Sequence, residues 1–170
     1  MNRPIRAVSL FFVLAFAYTL AWGKGSITKI IVESPSLPTR IEIVDPEVLG
    51  RFTIWSGPGV GGWDMLKTVP KADDAKFIVD WTQGIVSAQR SNSSRYLVRM
   101  YVEGRQSPRD TYEVEYVIDP ADGAGYVYLP GQREEFGRWN SYQISRGVEG
   151  NWFKATRDWE EVVRPLIDGE

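Results

Sequence analysis

RYLVRMYV (Arg95–Val102) and YEVEYVI (Tyr112–Ile118) decide the fold. In the first, Tyr96, Val98, Met100 and Val102 fall on one side of an extended chain, and Arg95, Leu97, Arg99 and Tyr101 on the other. In the second, Tyr112, Val114, Tyr116 and Ile118 alternate with Glu113, Glu115 and Val117. A two-residue period in β-branched and aromatic side chains marks half-buried strands. The polar connection EGRQSPRD, with Gly104 and Pro108, suits a hairpin. Pairing Val98 with Tyr116 sets Met100 against Val114, Val102 against Tyr112, and Arg99 against Glu115. A slip of one residue would turn one strand's apolar set onto the other's charged side, so the facing is strongly specified.

Downstream, Asp119-Pro120-Ala121-Asp122-Gly123 is turn chemistry, since proline pre-sets φ and glycine accepts a left-handed conformation. Gly125–Leu129 then returns as a third strand, completing a β-meander. Upstream, Ser26–Val32 and Arg40–Val44 are predicted strands separated by Pro35 and Pro38. Asp45-Pro46-Glu47 signals a helix start, with aspartate as N-cap and proline in the first turn, so a short helix is expected over Pro46–Arg51. Phe77–Thr82 reads as a strand with Phe77, Val79 and Trp81 inward, and Gly84 onward extends it before a polar turn. Trp139–Ile144 is either an edge strand or an aromatic loop. Trp152–Lys154 is a last short strand.

Thr156 caps a predicted helix over Arg157–Arg164, which Pro165 is expected to end. Trp159, Val162, Val163, Leu166 and Ile167 share one stripe, with Arg157–Glu161 and Glu160–Arg164 pairs on the solvent side. The expected fold class is α+β: an antiparallel meander sheet covered by a C-terminal amphipathic helix, with one further short helix.

Residues 1–23 read as a signal peptide. Arg3 and Arg6 precede the largely apolar Ala7–Ala21, and Ala21-Trp22-Gly23 offers cleavage before Lys24, or directly after Ala21. The apolar run is shorter than the ~20 residues that span a bilayer. The expected arrangement is therefore a signal peptide followed by one domain over 24–170, secreted or periplasmic and without a membrane anchor after cleavage. Removing the leader leaves 18 basic against 22 acidic residues. That balance disfavours nucleic acid as a partner.

The chain has no cysteine and no histidine. Disulfides, Ser-His-Asp and Cys-His catalysis and histidine metal sites are all excluded. No cofactor and no metal are expected. Asp119 and Asp122 lack the spacing of a calcium loop and belong to a turn.

WSGPGVGGW (Trp55–Trp63) carries four glycines and a proline between two tryptophans, without the Gly-Lys-Ser/Thr ending of a phosphate loop. It is either a loop that tucks its indoles onto the core or a ligand loop. In the second case Gly57 and Gly59 permit close backbone approach, and Trp55 and Trp63 offer flat contact surfaces. Trp139 and Tyr142, with Tyr126 and Tyr128 on the face away from the main apolar set, would extend such a patch, and Arg133 and Arg138 would lie at its rim.

The segments Ile27–Phe52, WSGPG (Trp55–Gly59) and Gly147–Leu166 resemble a family of secreted, uncharacterised bacterial proteins. The resemblance implies an extracytoplasmic bacterial protein and brings no activity, cofactor or site residue. The expected function is an extracytoplasmic binding or accessory protein whose ligand is an envelope glycan, a peptide or a protein. One alternative is a histidine-free hydrolase pairing Asp64 with Glu134 or Glu135, whose carboxyls would need to lie roughly 5–9.5 Å apart. The other is a purely structural envelope protein.

Overall fold

The computed structural model describes residues 26–54, 57, 77–86, 93–103, 111–131 and 148–169. Residues 1–23, expected from sequence to be a signal peptide, lie outside them. Strands β1 (Ile27–Glu33), β2 (Ile41–Ile43), β3 (Ile85–Val86), β4 (Ser94–Val102), β5 (Thr111–Ile118), β6 (Gly125–Leu129) and β7 (Asn151–Lys154) build one antiparallel sheet. Its seven strands lie in the order β2-β1-β4-β5-β6-β7-β3. Helix α1 (Pro46–Leu49) follows β2, and helix α2 (Arg157–Asp168) closes the chain. The architecture is α+β, as expected.

Along β4 the alternation is obeyed throughout: Tyr96, Val98, Met100 and Val102 are buried, and the side chains between them are partly open. They meet Tyr112, Val114 and Tyr116 of β5, Ile30 and Val32 of β1, and Val127 and Leu129 of β6 in one core. The pairing differs from expectation by two residues. Tyr96 faces Tyr116, Val98 faces Val114, Met100 faces Tyr112, and Arg99 faces Glu113 rather than Glu115. A two-residue shift leaves every side chain on its own face, so the apolar pattern cannot distinguish the two registers. The observed one lets Arg99 bond Glu113 and Arg95 bond Glu115, each at 2.6 Å.

β1 contains a device the alternation hides. Ile27 pairs with Val102 and Lys29 with Tyr101, so one extra residue, Thr28, bulges out. The bulge returns Ile27 to the core beside Ile30 and Val32, although strict alternation puts it with Ile31.

The predicted strand over Phe77–Thr82 is not one. Val79 makes a lone bridge to Ala155, and Trp81–Gln83 is a 3-10 turn. Asp80 causes the change: its carboxylate accepts from the Thr82 N–H at 3.0 Å and the Thr82 hydroxyl at 2.5 Å. Gly84, at φ +66°, then reverses the chain so that β3 returns along β7. Phe77, Ile78, Val79 and Trp81 are all buried, with no alternation.

α2 also departs from the reading. It runs through Pro165 to Asp168 and stops at Gly169, whose left-handed N–H bonds the Pro165 carbonyl. The amide proton that proline lacks would serve the carbonyl of Glu161, which is exposed, so water can replace that bond. Thr156 caps the other end: its hydroxyl accepts from the Trp159 N–H at 3.3 Å and donates to the Phe77 carbonyl at 3.1 Å. Trp159 and Val163 are buried on the sheet and Val162 and Ile167 pack beside them, but Leu166 is 42 % exposed. The stripe is thus narrower than its periodicity suggests. Trp159 meets the Phe52 and Tyr116 rings edge-on, at 5.6 and 6.0 Å between centroids. Among the described residues its indole N–H has no partner, so volume and ring geometry seat α2 here. α1 is shorter than expected; Asp45 caps it at 2.9 Å from the Glu47 N–H, and Leu49 is buried.

Candidate functional site

Among the described residues two places concentrate polar chemistry. The first joins α2 to the inner face of the sheet. Glu160 and Arg164, one turn apart, lie 2.8 Å from each other. The Tyr116 hydroxyl donates to Glu160 Oε1 and accepts from Arg164 Nε at 3.1 Å. Arg164 also donates to the Gly123 carbonyl at 2.6 Å, tying the helix to the β5–β6 turn. The sequence placed Glu160–Arg164 on the solvent side; it turns inward because Gly125 of β6 leaves space. A methyl group there would strike both the Glu160 carboxylate and the Tyr116 ring. Burial raises the Tyr116 pKa well above its ordinary value, and the bond to Glu160 and its charge raise it further. The phenol therefore neither gives up nor takes a proton near neutrality. Both Glu160 oxygens are engaged, Oε1 by Tyr116 and Oε2 by Arg164. The cluster is a polar tie between helix and sheet, without a free acid, base or nucleophile among its members.

The second place is the sheet's outer face. Glu33, Leu97, Glu115, Tyr128, Trp152 and Val86 stand directly opposite one another in turn, forming one row across six strands. Tyr128 and Trp152 are in ring contact at 5.2 Å and 40°. Arg95 bonds Glu115 Oε1 at 2.6 Å. In the next row Arg99 bonds Glu113 at 2.6 Å and Glu33 at 2.5 Å. Burial alone would lower the Arg99 pKa, but Glu113 and then Glu33 raise it, so the guanidinium stays charged. Lys29 lies 4.7 Å from the centre of the Tyr101 ring and 3.6 Å from Glu42. Three outer-face residues are nevertheless buried: Ile31, flanked by Glu42 and Arg99; Val117, flanked by Arg95 and Tyr126; and Tyr126 itself. Long side chains lying beside short ones give this face a partly dry surface.

Of the residues singled out from sequence, Trp55, Gly59, Trp63, Trp139, Tyr142 and Arg138 lie outside the described residues, as do Arg133, Asp64, Glu134 and Glu135. Gly57 is described. It has φ +107°, and a side chain there would run into the Trp81 indole. The close approach that glycine permits is thus made by the protein's own tryptophan. Tyr126 and Tyr128 do share the outer face; Tyr128 meets the Trp152 ring, and the buried Tyr126 donates to Asp122 Oδ2 at 2.6 Å. The Asp119 and Asp122 carboxylates bond the turn's own amides, at Ala121 and Ala124, each at 2.9 Å.

Sequence reasoning missed Trp152 and the Arg95–Glu115 pair. The signal available was Trp152 alternating with the buried Phe153, which assigns the indole to the face opposite the core. Comparison with protein-family models, curated proteins and solved structures finds no match. Among the described residues no helix is long and apolar enough to cross a membrane.

Proposed function

We propose that this chain is an exported, non-catalytic binding protein of the bacterial envelope, and that it presents the outer face of its sheet to a ligand. The observation that carries the reading is the in-line set Glu115, Tyr128 and Trp152 on three adjacent strands. A solvated face of an antiparallel sheet is typically polar. Here two large rings in contact are set beside a carboxylate bonded to a guanidinium, which is the mixture of apolar surface and oriented polar groups that ligands use. The absence of histidine and cysteine supports a binding role over catalysis, and the leader-like first 23 residues support export.

The test is co-sedimentation of purified protein with isolated insoluble envelope material. The protein should pellet with it, and Trp152→Ala, checked by its melting curve to be folded at the assay temperature, should remain in the supernatant. Equal pelleting by the folded variant would refute a role for this face. No pelleting of the parent protein would refute envelope binding altogether.

A further inference from the structure

We propose that the exposed edge of β2 pairs with the same edge of a second copy of this chain, joining two seven-stranded sheets about a two-fold axis at Ile41. β2 ends the sheet order, so among the described residues one side of its backbone has no strand beside it. An unpaired edge is a template for another strand. The side chains along it are open: those of Arg40 and Glu42 are 60 % and 38 % exposed, and Val44 is 58 % exposed. Helix α1, which follows β2, leaves them open and lies against β1.

Three features select a second copy as the occupant. The first is charge. Ile41 stands opposite Val32 and Ile43 opposite Ile30, all on the core side, so Arg40 and Glu42 lie on the outer side. In an antiparallel pair centred on Ile41, Arg40 of each copy stands opposite Glu42 of the other. Within one chain Glu42 is 3.6 Å from Arg40 and 3.6 Å from Lys29. Both separations are too long for hydrogen bonds, so Arg40 and Glu42 can each take a partner across the edge. The four side chains then alternate in sign around the axis. Centring the pair on Glu42 instead sets two carboxylates against each other, and centring it on Arg40 sets two guanidiniums, both destabilising.

The second feature is Ile41, which packs against the core but is only partly buried. In the same register it meets Ile41 of the second copy on the core side, which covers apolar surface that β2 alone leaves open. The third is closure. Among the described residues the sheet's other edge, β3, carries Ile85 and Val86, with no charge to answer Arg40 or Glu42. A contact between β2 and β3 would also be head-to-tail and would propagate, whereas β2 on β2 closes on itself as a dimer. Three strand residues make a small contact, so the dimer is weak and depends on concentration.

Sedimentation equilibrium of the purified protein at concentrations up to about 1 mM tests this. A monomer–dimer equilibrium without larger species is expected, and high salt should weaken it. Arg40→Glu and Glu42→Arg should each weaken dimerisation about tenfold or more, because each sets like charges against each other. The double variant Arg40→Glu/Glu42→Arg restores every opposite pair and should dimerise within about threefold of the parent. Glu42→Gln preserves shape, should weaken the dimer several-fold, and remains informative if a charge reversal does not fold. The proposal is overturned if the parent stays monomeric throughout, or if species larger than a dimer accumulate with concentration. It is equally overturned if the folded single variants dimerise as the parent does, or if the folded double variant is no better than the singles.

Discussion

Nine residues of β4 serve two surfaces that are stabilised in different ways. Inward, Tyr96, Val98, Met100 and Val102 are buried in a core that α2 closes with Trp159. Outward, Arg95, Leu97, Arg99 and Tyr101 stay partly open, and the bonds there run between charges on neighbouring strands. The inner face is held by volume, because removing a buried side chain leaves a space that neighbours fill only in part. The outer face is held by pairs that water and salt can replace. One sheet is therefore held on one side by packed volume and on the other by charge pairs.

The contrast would break first at the largest side chain on each face. Trp159→Ala should destabilise the protein by about 3–5 kcal/mol in denaturant melts. Trp152→Ala, at a partly buried side chain on the outer face, should cost less than half of that. Similar losses at both positions would mean that the outer face is a second core.

Gly125→Ala comes next, at about 1–3 kcal/mol, since the added methyl meets the Glu160 carboxylate and the Tyr116 ring. Adding Glu160→Ala should recover part of the loss, because one of the two obstructions is gone. A double variant no better than the sum of the singles would show that Glu160 is not what fills that space.

Tyr116→Phe sharpens the polar side of the inner face through pH. The folded protein holds the phenolic proton more tightly than the unfolded chain, whose tyrosine titrates near the ordinary value of 10.0. The unfolded state therefore loses this proton first. The tie's contribution is complete below about pH 10 and falls as pH rises further, by up to about 1.4 kcal/mol per pH unit. Tyr116→Phe should cost about 1–2 kcal/mol at pH 7 and should flatten the alkaline decline relative to the parent. Parallel declines would place the sensitive proton elsewhere.

The smallest effect belongs to the outer face. Arg99→Ala removes one cation from between Glu33 and Glu113 and should cost about 1 kcal/mol at low salt, less in 1 M salt. Arg157→Ala, at an exposed pair on α2, should be undetectable in the same urea melts.

Six of the seven candidate site residues, Trp55, Gly59, Trp63, Arg138, Trp139 and Tyr142, lie outside the described residues. Gly57, the seventh, supports the core by admitting Trp81. The outer row was only half legible. Tyr128 was placed on the correct face by its period, whereas its contact with Trp152 depends on how β6 and β7 align, and no local pattern specifies that. Glu160 was misplaced for a similar reason. Its helical position borders the apolar stripe, and the small residue opposite on β6 decides whether it turns inward.

Two-residue alternation by itself determined which side of β4, β5 and β6 is dry, and cap and turn chemistry determined where α1, α2 and the Asp119–Gly123 turn begin. Those features depend on neighbours within a few positions, so the chain states them directly. Tertiary structure alone decided the β4–β5 register, the bulge that returns Ile27 to the core, the turn at Trp81 and the row that ends on Trp152. A shift of two residues preserves every facing, so only contacts between distant segments can choose among the alternatives that the alternation allows.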